Sequence, residues 1–216
     1  KENMAPHSMV MTMIGASMLW VGWFGFNVGS NLEANGGATL AMFNTFVATA
    51  AATLAWSALE GLQRGKASML GAASGMVAGL VAITPACGTV GPIGAIALGV
   101  IAASVCYFFV TVVKNKLKYD DSLDVFGIHG VGGIIGAVLT GVFSAGTLGG
   151  VKGDDYAMAA QLWIQIEGVL ITIVWSGVVS FVLFKLIDMT IGLRVDGDTE
   201  RQGLDLVAHG EQAYHG

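Results

Sequence analysis

The segment DVFGIHGVGGIIG, Asp124 to Gly136, sets a histidine among glycines and apolar residues. On a helix, Gly132, Gly133 and Gly136 follow His129 at i+3, i+4 and i+7 and share its face. The imidazole then stands beside a bare strip of backbone, where another helix or a small solute can come close. An ionisable group at membrane depth is costly and ordinarily faces a cavity or a partner. A structural histidine bonded to a neighbouring helix fits the same pattern. A metal site would need further His, Cys, Asp or Glu at ligand spacing, and none lies close in sequence.

A second constellation is LWVGWFGFNVGS, in which Leu19, Trp23, Phe26 and Ser30 fall at i, i+4, i+7 and i+11. Aromatic faces attract a cation, more so when it is partly desolvated, and a serine oxygen accepts from an N–H donor. The same spacing also suits an aromatic stripe in the core, with Trp at an interface belt. Asp124 fits the first turn of its helix, where a carboxylate suits the dipole. Glu167 lies inside an apolar span with no partner evident in sequence. His7 sits beside Pro6 at the entry to the first span, and His209 and His215 belong to the polar tail. Cys87 and Cys106 read as small core residues, not as a disulfide framework. Ser74 and His129 are the pair an intramembrane serine protease would need. Ser74, however, sits on a stripe of small residues, so no enzyme is expected. An ion-coupled transporter of another substrate would call for more carboxylates than Glu167 and Asp124.

The elements that must hold these residues are membrane helices. Hydrophobic residues make up 54% of the 216, and charged residues 12%, against about 25% in soluble domains. Uncharged runs extend from Asn3 to Leu32, Ala34 to Leu59, Ala67 to Val113 and Val125 to Val151. Each exceeds the ~20 apolar residues that cross a bilayer as a helix. The alternating ten-residue segments of a transmembrane β-barrel are not seen. The chain is therefore all-α, a polytopic bundle with six spans at about 7–29, 37–59, 67–84, 92–113, 123–143 and 156–191. Residues 1–193 form the membrane region and 194–216 a polar tail. The prolines of PACGTVGP, Pro85 to Pro92, divide the third span from the fourth. The last is long enough to tilt or protrude.

Basic residues alternate in the connections. Lys1, Arg64, Lys66, Lys114, Lys116, Lys118, Lys185, Arg194 and Arg201 fall on one side and only Lys152 on the other. The positive-inside rule then predicts cytoplasmic termini. Gly71, Gly75 and Gly79, with the pairs Gly25/Gly29 and Gly132/Gly136, mark close helix approaches.

Three motifs, WFGFNVGS (Trp23 to Ser30), ITPACGTVGP (Ile83 to Pro92) and DVFGIHGVGGIIG, resemble the ammonium transporter family (Amt/Mep/Rh). The resemblance is nearest to bacterial AmtB-type channels and extends to the tail GLDLVAHGEQAY. It implies eleven membrane helices in two pseudo-symmetric halves, with three subunits and a pore in each. The chain resembles helices six to eleven plus the tail, the first five belonging to a preceding N-terminal half. By resemblance, Ser30 and Trp23 hold ammonium at the outer vestibule. Phe26 gates the pore. His129 is the second of two paired histidines, lining a lumen with Leu19, Val125 and Asn27. The implied function is ammonium or ammonia transport, with ammonium recruited and ammonia conducted, with or without separate proton transfer. A neutral gas channel of the Rh type and another secondary transporter are the alternatives. The implied setting is the bacterial cytoplasmic membrane, as a homotrimer without cofactor or nucleic acid. A PII-type regulator would bind the tail, which composition alone reads as disordered.

Overall fold

The computed structural model describes residues 5–212. Lys1, His215 and the end of the GLDLVAHGEQAY motif lie outside the described residues. The chain divides into two compact units, Lys1–Val169 and Leu170–Gly216.

The first unit holds helices α1 (Met9–Gly29), α2 (Gly36–Arg64), α3 (Met69–Ile83), α4 (Pro92–Leu117) and α5 (Phe126–Phe143), and the start of α6 (Met158–Thr190). All of these except α3 are long and apolar enough to cross a membrane. Helix α3 has only 15 residues, about 22 Å at 1.5 Å per residue, against a hydrocarbon core of about 30 Å. Its shortness follows from Pro85, which has no N–H to give the carbonyl one turn back. The chain tightens instead, with Thr84 N–H donating to Val81 O and Ala86 N–H to Ile83 O. Buried Asn44 on α2 completes the turn by donating its amide to the carbonyls of Cys87 and Val90, each at 2.8 Å. Among the described residues no strand forms, only an isolated bridge between Ala145 and Lys152.

Capping fixes where the helices start. Ser8 and Asn35 cap α1 and α2 by accepting from backbone N–H groups one turn in. Helix α2 ends on Gly65 in the left-handed region, φ 78°, where glycine escapes the Cβ penalty. It runs past the expected end and carries Glu60, which is buried and accepts from the Ser68 N–H and hydroxyl at 2.9 Å. Ser68 in turn caps α3 through Gly71 N–H. The carboxylate thus ties the end of one helix to the start of the next.

Helix α5 also starts later than the sequence suggests. Asp121, not Asp124, accepts from Phe126 and Gly127 N–H at its start. Asp124 lies before the helix at φ 57° and pairs with Lys114. A carboxylate read as a dipole partner is therefore the loop member of an ion pair with α4. Lys185, counted with the connections, lies inside α6.

The core is built from small residues. Ala48, Ala52, Ala78, Ala82, Ala102 and Ala103 are wholly buried, as expected where close backbone packing, not the hydrophobic effect, joins helices. Gly75 and Gly79 present bare Cα atoms to α2, where an added Cβ would lie 2.7 Å from Trp56 and Ala52 side chains. Gly99 of α4 faces the Ala48 carbonyl. Gly25 and Gly29, in contrast, have nothing within 4 Å. Their spacing does not mark a helix contact among the described residues. Cys87 and Cys106 are free and buried.

In the second unit, α6 continues to Thr190 and the described part of the polar tail forms helical turns. Asp196 caps a short helix α7 (Gly197–Gln202), and a π turn covers Asp205–His209. Arg194 pairs with Glu200.

Candidate functional site

Helices α1, α3 and α5 line an open-sided cleft of about 900 Å³. Its α1 wall carries Leu19, Gly22, Trp23 and Phe26. Its α3 side carries Val81, Thr84 and Pro85, and α5 supplies His129 and Gly133. The wall is apolar apart from the Thr84 hydroxyl, the indole N–H and the imidazole.

Trp23 is held in place. Its indole Nε1–H donates to Thr84 Oγ1 at 2.7 Å, and the Thr84 hydroxyl donates to Leu80 O at 2.8 Å. The indole N–H is thereby committed to the protein, and what Trp23 offers a solute is its ring. That ring sits 6.0 Å from the Phe26 ring and 6.1 Å from the His129 imidazole, centre to centre. His129 is exposed on this surface and lies in a π turn, Phe126–Gly130, at the start of α5. Such turns insert an extra residue into the helical ladder and often occur at functional sites.

The structure sorts the sequence candidates. Leu19, Trp23, Phe26 and His129 come together on the cleft. Ser30 lies one turn past Phe26 as the C-cap of α1, outside the cleft lining. Its hydroxyl donates to Phe26 O at 2.6 Å, which leaves the oxygen lone pairs to accept from a donor. Asn27 is buried and turned the other way, donating to Thr45 Oγ1 of α2 at 3.0 Å. Val125 is 57% exposed but does not line the cleft. Four residues before His129, it would share its face in an α-helix. The intervening π turn shifts that register. Ser74 is half-buried on α3, outside the cleft. Glu167 is exposed on α6. Among the described residues no group of three or more His, Cys, Asp or Glu is placed to hold a metal ion.

Sequence reasoning missed Thr84 and Gly22. Thr84 immediately precedes the helix-breaking Pro85, and a hydroxyl beside a break was a usable signal. Gly22 gave no signal distinct from other helical glycines.

The glycines following His129 divide between two roles. An alanine Cβ at Gly136 would lie 2.2 Å from the Ala82 carbonyl oxygen. That carbonyl lost its usual partner when Ala86 N–H turned to Ile83. Gly132 packs against Cys106 and Val81 at ordinary contact distance, whereas Gly133 opens onto the cleft.

Comparison with known proteins gives a consistent result. An ammonium transporter of Aquifex aeolicus is 51% identical over 99% of this chain and 50% of its own length. One of Bacillus subtilis is 43% identical over 97% of the chain and 52% of its own length. The chain thus spans about half the length of these curated relatives. Among solved structures, a Sensor Amt Protein superposes with a TM-score of 0.85 at 31% identity, over 94% of this chain and 49% of that one. Candida albicans Mep2 superposes at 0.82 with 33% identity, over 90% and 44%. The Ammonium Transporter Family matches residues 1–214, and the chain, an all-α integral membrane protein, belongs to that family.

Proposed function

We propose that this chain forms one wall of a pore that carries ammonium or ammonia across a membrane, completed by a further half of the same fold. The observation that carries the reading is the apolar cleft on which His129, Trp23, Phe26 and Leu19 converge. An ammonium ion is costly to bring into such a lumen, whereas neutral ammonia is not.

The steps follow from this difference. Ammonium is recruited by the Ser30 oxygen and by the aromatic faces of Phe26 and Trp23. It hands a proton to water at the outer mouth, and that proton either stays outside or crosses separately by way of the His129 imidazole. Ammonia then passes His129, whose imidazole offers a hydrogen bond in an otherwise apolar passage. Phe26, on the cleft wall beside Trp23, acts as the gate. Asn27 supports this arrangement from behind by fixing α1 on α2. Val125 lies at the rim of the path.

The setting we infer is the cytoplasmic membrane of a bacterium, with a trimer of such pores. Arg64, Lys66 and Lys114 to Lys118 lie on the cytoplasmic side with the tail, by the positive-inside rule. The tail, with its capped helix and Arg194–Glu200 pair, is the surface for a PII-type regulator.

The test is flux of ammonium and methylammonium into liposomes holding the full-length transporter, wild type against His129→Ala. Flux that falls at least tenfold in a stably folded variant supports the pore role. Wild-type flux in His129→Ala rejects it.

A further inference from the structure

Glycine is a poor helix former, so a glycine inside a helix calls for a reason. At Gly136, Gly99 and Gly79 the reason is a backbone: an added Cβ would come within 2.2, 2.3 and 2.8 Å of main-chain atoms. At Gly133 no such reason exists among the described residues. A Cβ there meets only Val81 Cγ1, at 3.9 Å, and a Cβ at Gly22 meets nothing within 4 Å. Both glycines nevertheless line the cleft with His129 and Trp23. Gly133 stands one helical turn from His129 and Gly22 is the immediate neighbour of Trp23, so both flank the part of the wall where the imidazole and indole rings meet, 6.1 Å apart.

We propose that Gly133 and Gly22 set the width of the path beside His129, and so the size of the amine that passes. The inference rests on the transport reading above. Each bare Cα leaves room for one methyl group on the wall. One methyl group is also the difference between ammonia and methylamine. A methyl added to the wall therefore competes with the methyl of the larger solute and leaves room for the smaller. A tight apolar site separates solutes differing by one such group roughly tenfold or more.

The experiment measures ammonium and methylammonium flux, together with thermal midpoints, for the full-length transporter in liposomes. Wild type, Gly133→Ala, Gly22→Ala and Gly132→Ala are compared. Gly132 is buried on the same helix but lies outside the cleft lining, so it reports the effect of an added methyl that does not enter the path. The expected result is a methylammonium-to-ammonium ratio about tenfold lower in Gly133→Ala, and lower also in Gly22→Ala. The midpoint should be unchanged or raised, because alanine favours a helix. Gly132→Ala should keep the wild-type ratio. An unchanged ratio in Gly133→Ala overturns the inference. So does an equal loss of both fluxes with a lower midpoint, which would make Gly133 a packing glycine. Absence of wild-type flux would instead remove the transport reading itself.

Discussion

Gly136→Ala tests the packing that aims His129. An alanine Cβ there would lie 2.2 Å from Ala82 O and 2.9 Å from Ala82 C and Cα, where ordinary contact begins near 3.4 Å. The clash is between two main chains, so no side-chain rotation relieves it. Helix α5 must move off α3 by about 1 Å, and a gap of that size forfeits a quarter to a half of each dispersion contact across it. Overpacking of this kind costs about 1–3 kcal/mol, and rigid backbone on both sides places Gly136 at the upper end. The helix preference of alanine over glycine returns about 0.5–1 kcal/mol, leaving a net loss of about 2 kcal/mol. The same displacement carries His129 away from Trp23, which Thr84 holds to α3. The assay is denaturant titration of the purified full-length protein in detergent, paired with ammonium flux in liposomes as a readout of the proposed function. Stability should fall by about 2 kcal/mol and flux should fall with it. Gly132→Ala, whose Cβ would meet Cys106 and Val81 at 3.5 Å, should stay within about 1 kcal/mol of wild type. A Gly136→Ala protein with wild-type stability and flux would refute the close approach of α5 to the Ala82 carbonyl.

Two further outcomes are expected. Thr84→Val removes the acceptor of the Trp23 indole N–H and leaves a polar group unpaired at a cost of about 1–3 kcal/mol. Ammonium flux should drop and tryptophan emission shift, with both recovering in Thr84→Ser; wild-type behaviour of Thr84→Val would show that the hydrogen bond does not position the indole. In the tail, N–H and hydroxyl donors of Thr199 hold the Asp196 carboxyl below its usual range, and the hydrogen bond from Arg194 does the same for Glu200. Depressed values make their contribution to α7 complete above the usual carboxylate range, and it is lost as pH falls through the lowered values. Amide exchange of residues 197–202 should therefore stay flat, after correction for intrinsic rates, from about pH 8 to 6 and rise only in acid. Loss of protection already between those values would show that these carboxylates do not hold the helix.

Much of the fold was legible because the membrane imposes it. A hydrocarbon layer demands long uncharged runs with internally satisfied backbones, and those runs, with the proline break at Pro85, are explicit in the residue order. The i, i+4, i+7 spacing likewise placed Leu19, Trp23 and Phe26 on one face, since an uninterrupted α-helix repeats every 3.6 residues. Val125, a lining residue by resemblance alone, lies off the cleft: the π turn at Phe126–Gly130 changes the helical period, and nothing in the local sequence announces it. Spacing also did not say which glycines pack. Gly25/Gly29 and Gly132/Gly136 share one spacing, yet Gly136 faces the Ala82 carbonyl while an added Cβ at Gly25 or Gly29 would meet nothing within 4 Å among the described residues. The carboxylates illustrate the remaining limit. Composition put Asp124 near a helix start, but only the folded loop gave Asp121 the cap and turned Asp124 toward Lys114. Sequence by itself determined the class, the apolar helical runs and the aromatic stripe, because those depend on solvent and on local periodicity. The tertiary structure alone decided which bare backbone meets a helix and which meets open space, because that depends on what the other helices bring to it.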